Sequence, residues 1–344
     1  MKLAVTGGAG FLGFHLCNML SKKFGEIFVI DIAPIDPAEY PENVKYFNVD
    51  VRDSKALDTV IAKADVVVHG AAALPLWKKE KIFTTNVLGT RNVLETARKK
   101  GIKRVVFISS TAVYGIPQKH PIYEDDSLVG IGPYGESKIE AERICEEYRQ
   151  KGMCVPVVRP KTFIGPGRLG VFQILYDWVK SGKRIPIIGN GENRYQLLDV
   201  EDLVDAIYLM LTLPEGEVND IFNVGAEEFS TVRQDVGALC RFAGTGARVI
   251  PMPAWVAKPS LELLWIIRLS PLYKWVYGTA DKDSFVSIEK AKSKLGWTPK
   301  YSNEAALIKS YKWYLEHCKE VKESGITHRV AWKQGVLGLL KRLM

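Results

Sequence analysis

The stretch KLAVTGGAGFLG, residues 2–13, decides the fold: an apolar, β-branched run ends in Gly7, Gly10 and Gly13, each three residues from the next, and leads into an apolar helical pattern. Small residues at these places let backbone N–H groups and the positive end of a helix approach a pyrophosphate. A glycine triplet also suits a simple tight turn, so the flanking sequence decides. The next apolar run, EIFVID (26–31), closes on Asp31, about 20 residues on, where a carboxylate accepts hydrogen bonds from a ribose diol. The same negative charge repels a 2′-phosphate, which favours NAD over NADP.

Working outward, KLAVTG, EIFVID, VKYFNVD, ADVVVHGAA, KRVVFISS and CVPVVRP read as strands, with helical segments between them. Such alternation demands crossover connections and a parallel sheet covered on both faces, an α/β Rossmann-type doubly wound fold. TTNVLGTRNVLETARKKG (84–101) carries Val87, Val93, Leu94 and Ala97 at helical spacing, and DVEDLVDAIYLMLT (199–212) does the same before the strand DIFNVG. Residues 1–165 are therefore expected to form the dinucleotide-binding domain, with the segment near 197–224 returning to it. Glycines and prolines punctuate the chain after 165, and 166–344 is expected to be mainly a smaller substrate-binding part.

With 344 residues, 47% of them hydrophobic, the chain is long enough to bury a large core. The start runs directly into a strand with no apolar leader, which implies a cytoplasmic chain. Cys17, Cys145, Cys154, Cys240 and Cys318 are scattered and odd in number, suggesting neither disulfides nor a metal site. The net charge is +8, yet residues 319–344 carry six Lys/Arg against Glu320 and Glu323. No aromatic-basic motif accompanies the charge, so nucleic acid is not an expected partner. No apolar run reaches the roughly 18 residues of a membrane span. In the tail, Trp332, Val336, Leu339 and Leu343 share a stripe with basic residues elsewhere. That pattern suits peripheral contact with an anionic membrane, or packing on the protein body.

The motifs DVRD (50–53), HGAAA (69–73), NVLGT (86–90), SSTAVYG (109–115) and YGESK (134–138) follow the glycine loop in an order that resembles the extended short-chain dehydrogenase/reductase family, which contains nucleotide-sugar epimerases and dehydratases. The resemblance covers nearly the whole chain. It implies an NAD site in which Phe11 and Leu12 accompany the glycines, Asp50 and Val51 line the adenine pocket, and Ala71, Ala72 and Ala73 pass the pyrophosphate and nicotinamide ribose. It further implies that Asn86 supports the active-site helix and that the protein is a homodimer. His69 reads as a packing residue at a strand end.

Tyr134 and Lys138 lie four apart in a helix expected to start near Pro133, so both emerge on one face. A phenol is a poor base near neutrality, but an adjacent ammonium and an oxidised nicotinamide stabilise its anion. Tyr134 is thus equipped to exchange a proton with a substrate hydroxyl. By resemblance, Lys138 also holds the nicotinamide ribose and Ser110 takes the catalytic Ser/Thr position. Relatives that dehydrate carry Asp-Glu after that serine, and the decarboxylases carry Glu before the valine. Here Thr111 and Ala112 stand there, so hydride transfer without elimination or decarboxylation is expected.

For the substrate, GNGENRYQLLDVEDL (189–203) resembles the segment in which an arginine grips a nucleotide diphosphate, which assigns Arg194 that role; a surface ion pair is the alternative. Two departures weaken the sugar-nucleotide resemblance. The usual substrate asparagine is Thr162, and no arginine stands between Tyr277 and Trp297. Both lean toward the 3β-hydroxysteroid-dehydrogenase-like branch; the apolar LELLWIIRL suits a lipid-like substrate too, but a core or dimer helix explains it better. Two enzymatic readings therefore stay open, a nucleotide-sugar 4-epimerase or related oxidoreductase and a dehydrogenase of a steroid or lipid alcohol. A redox-inactive NAD-binding protein is the third.

Overall fold

The computed structural model describes residues 1–266 and 274–319, together with Arg329, Gly338 and Lys341. Its strands are β1 (Lys2–Thr6), β2 (Glu26–Asp31), β3 (Val44–Asn48), β4 (Val66–His69), β5 (Arg104–Ile108), β6 (Val157–Pro160), β7 (Thr162–Ile164), β8 (Arg184–Ile188), β9 (Leu197–Asp199), β10 (Ile221–Val224) and β11 (Arg248–Met252). Seven form one parallel sheet in the order β10-β6-β5-β4-β1-β2-β3. This is the doubly wound sheet expected from the alternating runs. The order reverses between β1 and β4, which are paired from Leu3↔Val66 to Thr6↔His69. A crevice opens above their carboxyl ends, where such sheets bind ligands.

The strands are apolar on both faces because both are covered. Successive side chains alternate, so Leu3 and Val5 enter one core and Ala4 the other. The first core takes Leu16 from the helix Phe11–Leu20 and Leu203 and Ile207 from Val200–Thr212. The second takes Leu57, Leu94 and Ile144 from the helices Ser54–Ile61, Gly89–Lys99 and Gly132–Gln150. A third core, around Ile174, Tyr176, Trp178, Leu239, Leu307 and Tyr311, lies beyond the crevice. Here β8 pairs with β11 and β7 with β9. The chain also returns to the main sheet late, since Val286, Ile288, Leu295 and Trp297 are buried in the first core.

Local departures from the sequence pattern have physical causes. CVPVVRP pairs regularly only over Val157–Pro160, because Pro156 has no N–H for the ladder. The helix expected over 84–101 is split: Thr84–Leu88 forms a wider π-turn before Gly89–Lys99. That turn places buried Asn86 where its side chain bonds Ala73 and Ser137 while Thr90 Oγ1 caps its carbonyl at 2.6 Å.

Among the described residues no helix is long and apolar enough to cross a membrane. The helix Ala254–Ile266 leaves Trp255 and Leu263 exposed, and the rest of LELLWIIRL lies outside the described residues. The stripe of Trp332, Val336, Leu339 and Leu343 also lies outside them. Nearby, Arg329 bonds Glu39 at 2.8 Å and Lys341 bonds Asp177 at 2.6 Å, so these two tail residues are held against the body.

Candidate active site

The crevice opens into a cavity of about 980 Å³ that runs from the glycine loop to the third core. At one end Gly7 has φ +74, and a Cβ there would sit 2.8 Å from Ala71 N. A Cβ on Gly13 would meet Gly7 O and Gly8 Cα at 2.4 Å. Both places therefore require glycine, and the loop lies flat against the start of the helix Phe11–Leu20. Gly10 caps that helix without a side chain, which leaves its first N–H groups to a ligand.

Asp31 lines the cavity and accepts from Ala9 N at 3.0 Å and Ala33 N at 2.9 Å. Burial pushes its carboxyl above the ordinary range, against the pull of those backbone bonds. Asp50, Val51, Ala71, Ala72 and Ala73 line the same wall, with Asp50 forked by Arg52 at 2.6 Å. The cradle fits a dinucleotide: Gly7, Gly10, Phe11, Leu12 and Gly13 would take the pyrophosphate, Asp31 the adenosine ribose, and Asp50 and Val51 the adenine. Asn86 does not reach the cavity wall. Its Oδ1 accepts from Ala73 N at 2.7 Å and its Nδ2 donates to Ser137 Oγ at 2.9 Å, tying that wall to the helix that carries Tyr134.

Ser110 ends the loop after β5 and accepts from Ala112 N at 3.1 Å, and its side chain is hydrogen-bonded to Tyr134. Tyr134 and Lys138 project from the first turns of Gly132–Gln150, which has Pro133 in its first turn. Lys138 Nζ donates to Ile108 O at 2.8 Å and lies 4.8 Å from the Phe107 ring centroid. Burial pushes this ammonium down to about 8. Burial also raises the Tyr134 phenol, while the Ser110 bond and the charge of Arg168 act against it. The expected lowering of this phenol is thus not achieved by Lys138 alone, because Lys138 Nζ is engaged by a β5 carbonyl.

Below this floor, Arg159 Nη2 donates to Glu142 Oε2 at 2.6 Å, and Arg159 Nη1 donates to Tyr114 OH at 2.7 Å. Ser109 Oγ donates to Glu142, so the first serine of the loop is structural. His69 is buried between Thr6 Oγ1 at 2.6 Å and Thr90 Oγ1 at 3.0 Å, and burial pushes it down to about 3. It holds a strand end and does not face the cavity.

On the far side, Thr111 Oγ1 donates to Pro160 O at 3.3 Å, and Thr162 Oγ1 bonds Tyr195 OH at 2.9 Å; both threonines line the cavity. Arg194 does not. It is exposed, with its guanidinium 4.7 and 4.6 Å from the rings of Phe229 and Phe285. Extended backbone alternates its side chains, so Tyr195 is the one that turns inward. Lys161, Arg168 and Ser284 also line this side, and none was singled out by the motifs. A lysine within the apolar run VVRPKTFI was the one available signal, since lysine is rarely buried without a purpose.

The sequence model of the "NAD dependent epimerase/dehydratase family" matches residues 3–225. The chain belongs to this family. It is 34% identical over 342 residues to a protein of Sinorhizobium fredii called "Uncharacterized protein y4nG", covering 98% of this chain and 84% of that one. It is 28% identical to a UDP-glucose 4-epimerase of Halalkalibacterium halodurans over 92% of this chain and 96% of that one. Among solved structures, a UDP-glucose 4-epimerase of Thermotoga maritima with UDP-glucose superimposes with a TM-score of 0.78 at 25% identity, over 92% of this chain and 100% of that one. This epimerase/dehydratase-family protein is accordingly an NAD-dependent enzyme, and the cradle from Gly7 to Asp31 has the shape and charge that the cofactor requires.

Proposed function

We propose that the protein is an NAD-dependent nucleotide-sugar 4-epimerase, or a close nucleotide-sugar oxidoreductase, that works without dehydration or decarboxylation. The observation that carries this reading is the Ser110–Tyr134 hydroxyl pair at the cavity wall, with Thr111 and Ala112 where an acid and a base would be needed for elimination. Among the described residues the carboxylates lining the cavity are Asp31 and Asp50 at the cofactor end and Asp235, which accepts from Asn303 Nδ2 at 2.7 Å. The similarity to UDP-glucose 4-epimerases supports the same reading.

Tyr134, whose anion the charge of Arg168 and bound oxidised NAD would stabilise against burial, takes the proton of the sugar 4-hydroxyl, and Ser110 donates a hydrogen bond to that oxygen as charge develops on it. Bound NAD would supply the hydride acceptor and donor. Lys138, one turn further along the same helix, would hold the nicotinamide ribose. Tyr134 then returns its proton to the same oxygen after the keto-sugar has turned over within the roomy cavity, so no net reduced cofactor accumulates.

The test incubates the NAD-loaded protein with UDP-, GDP- and dTDP-sugars and reads the products by NMR. A 4-epimer without lasting absorbance from reduced cofactor is expected. No epimer or ketone from any sugar nucleotide sinks the proposal. The apolar wall formed by Phe172, Leu175, Val236 and Leu307 favours a second reading, one-way oxidation of a steroid or lipid alcohol. Sustained formation of reduced cofactor with such an alcohol would decide for it.

A further inference from the structure

Lys161 stands between β6 and β7 and is only 3% exposed. Its Nζ donates to Ser284 Oγ at 2.6 Å and lies 4.9 Å from the Tyr195 ring centroid. Arg159 has Glu142, and the half-buried Lys309 has Asp199 and Glu201; Lys138, equally buried, is held by Ile108 O at the cofactor side of the cavity. Among the described residues Lys161 has no carboxylate partner. Burying an ammonium without an opposite charge is costly, and such groups are kept where a ligand supplies the missing partner. Ser284 uses one of its three N–H donors, and Lys161 lines the cavity.

Its place is at the reacting end of the substrate side. Pro160, the preceding residue, accepts from Thr111, which follows the catalytic Ser110 candidate. Thr162, the next residue, bonds Tyr195. The titratable groups around it are Tyr195 and His120, the latter also near Asp283. Arg194, to which the motif assigns an anion, points away from the cavity, and Lys161 occupies the wall that Arg194 does not reach.

Resting on the nucleotide-sugar reading above, we propose that Lys161, positioned by Ser284, is a substrate-binding residue for an anionic oxygen group of the nucleotide sugar, its diphosphate or a sugar carboxylate. Burial alone pushes Lys161 down to about 7, so pairing with an anion raises it and draws a proton from solution at pH 8.

The test is calorimetric titration of the NAD-loaded full chain and of Lys161→Met with inorganic pyrophosphate, UDP, UDP-glucose and UDP-glucuronic acid, in two buffers of different ionisation enthalpy at pH 8. The wild type is expected to take up a fraction of a proton on binding, and Lys161→Met none. Affinity falls roughly tenfold to a hundredfold in the variant, and Lys161→Arg restores part of it. Methionine matches the length of the stem and removes the buried charge, so a melting temperature at or above wild type confirms folding. Loss with pyrophosphate and UDP identifies the diphosphate as the anion, and loss confined to UDP-glucuronic acid identifies a sugar carboxylate. Equal affinity and proton uptake in both proteins, or no binding of any of the four by the wild type, overturns the proposal. Lys161-dependent binding of UDP-glucose with no epimer or ketone from any UDP-, GDP- or dTDP-sugar would keep this inference and remove the epimerase reading; epimerisation by Lys161→Met with unchanged kcat and KM would do the reverse.

Discussion

Arg159 and Glu142 face each other at 2.6 Å beside the loop after β5, with 2% and 5% of their side chains exposed. The pair ties β6 to the helix that carries Tyr134, and Glu142 also accepts from Ser109, next to Ser110. Removing one partner strands a buried charge, which costs about 3–5 kcal/mol. Arg159→Leu and Glu142→Leu are each expected to lose that much in urea denaturation. The double variant Arg159→Leu/Glu142→Leu should recover most of it. Additive losses in the double variant would contradict the pairing.

Tyr134 is the proton-transfer group of the proposed reaction. Tyr134→Phe should lower kcat roughly 10²–10⁴-fold while the affinity for NAD, followed by tryptophan fluorescence, stays within a few-fold. Ser110→Ala removes one donor to the developing oxyanion and should cost roughly 10²–10³-fold in kcat. Full turnover in Tyr134→Phe would rule out this chemistry.

The glycine loop tolerates no Cβ at position 13, where Gly7 O and Gly8 Cα would lie 2.4 Å away. Gly13→Ala is therefore expected to destabilise the chain by about 1–3 kcal/mol and to weaken NAD binding at least roughly tenfold by separating loop from helix. Gly216 has open space around it, so Gly216→Ala is the control and should leave NAD affinity unchanged.

Burial pushes His69 down to about 3 and His15 to about 4. An unfolded imidazole titrates near 6.5, so below that pH the unfolded chain gains protons that the native chain refuses. Stability is full above about pH 6.5 and falls as the pH drops toward 4, by up to about 1.4 kcal/mol per pH unit per histidine. His69→Gln should flatten this acid limb in thermal melts recorded from pH 7 to 4. Turnover above pH 7 should stay within a few-fold, because neither ring nitrogen faces the cavity. A catalytic His69 would instead abolish activity when replaced.

The sheet was legible in the sequence because parallel strands buried on both faces leave continuous apolar runs, and because the glycine loop and Asp31 punctuate β1 and β2. The loop that carries Ser110 and the helix that carries Tyr134 and Lys138, which meet in the Ser110–Tyr134 hydrogen bond, were legible through fixed local spacings. Arg194 was misplaced by a single residue of register in an extended segment, where one step turns a side chain to the opposite face. Lys161 and Ser284 meet although 123 residues apart, and Arg159 and Glu142 meet across two elements, so no local pattern announces either contact. The far wall of the cavity, built from such distant segments, was for that reason the least readable part of the protein.

Asp31 is placed to bias the choice of cofactor by charge. Its carboxylate is fixed by Ala9 N and Ala33 N and lines the cavity where the adenosine ribose would lie. A 2′-phosphate there would face a buried negative group, and at an effective dielectric near 20 such a repulsion is worth about 4 kcal/mol at 4 Å. Asp31→Asn keeps the shape and an acceptor oxygen but removes the charge. It should narrow the preference for NAD over NADP roughly 10- to 100-fold, mainly by tightening NADP, as measured by parallel fluorescence titrations. The effect should shrink if NADP is titrated below pH 6, where its 2′-phosphate begins to lose charge. An NAD-to-NADP affinity ratio unchanged in Asp31→Asn would show that shape at the ribose, not the charge of Asp31, governs the choice.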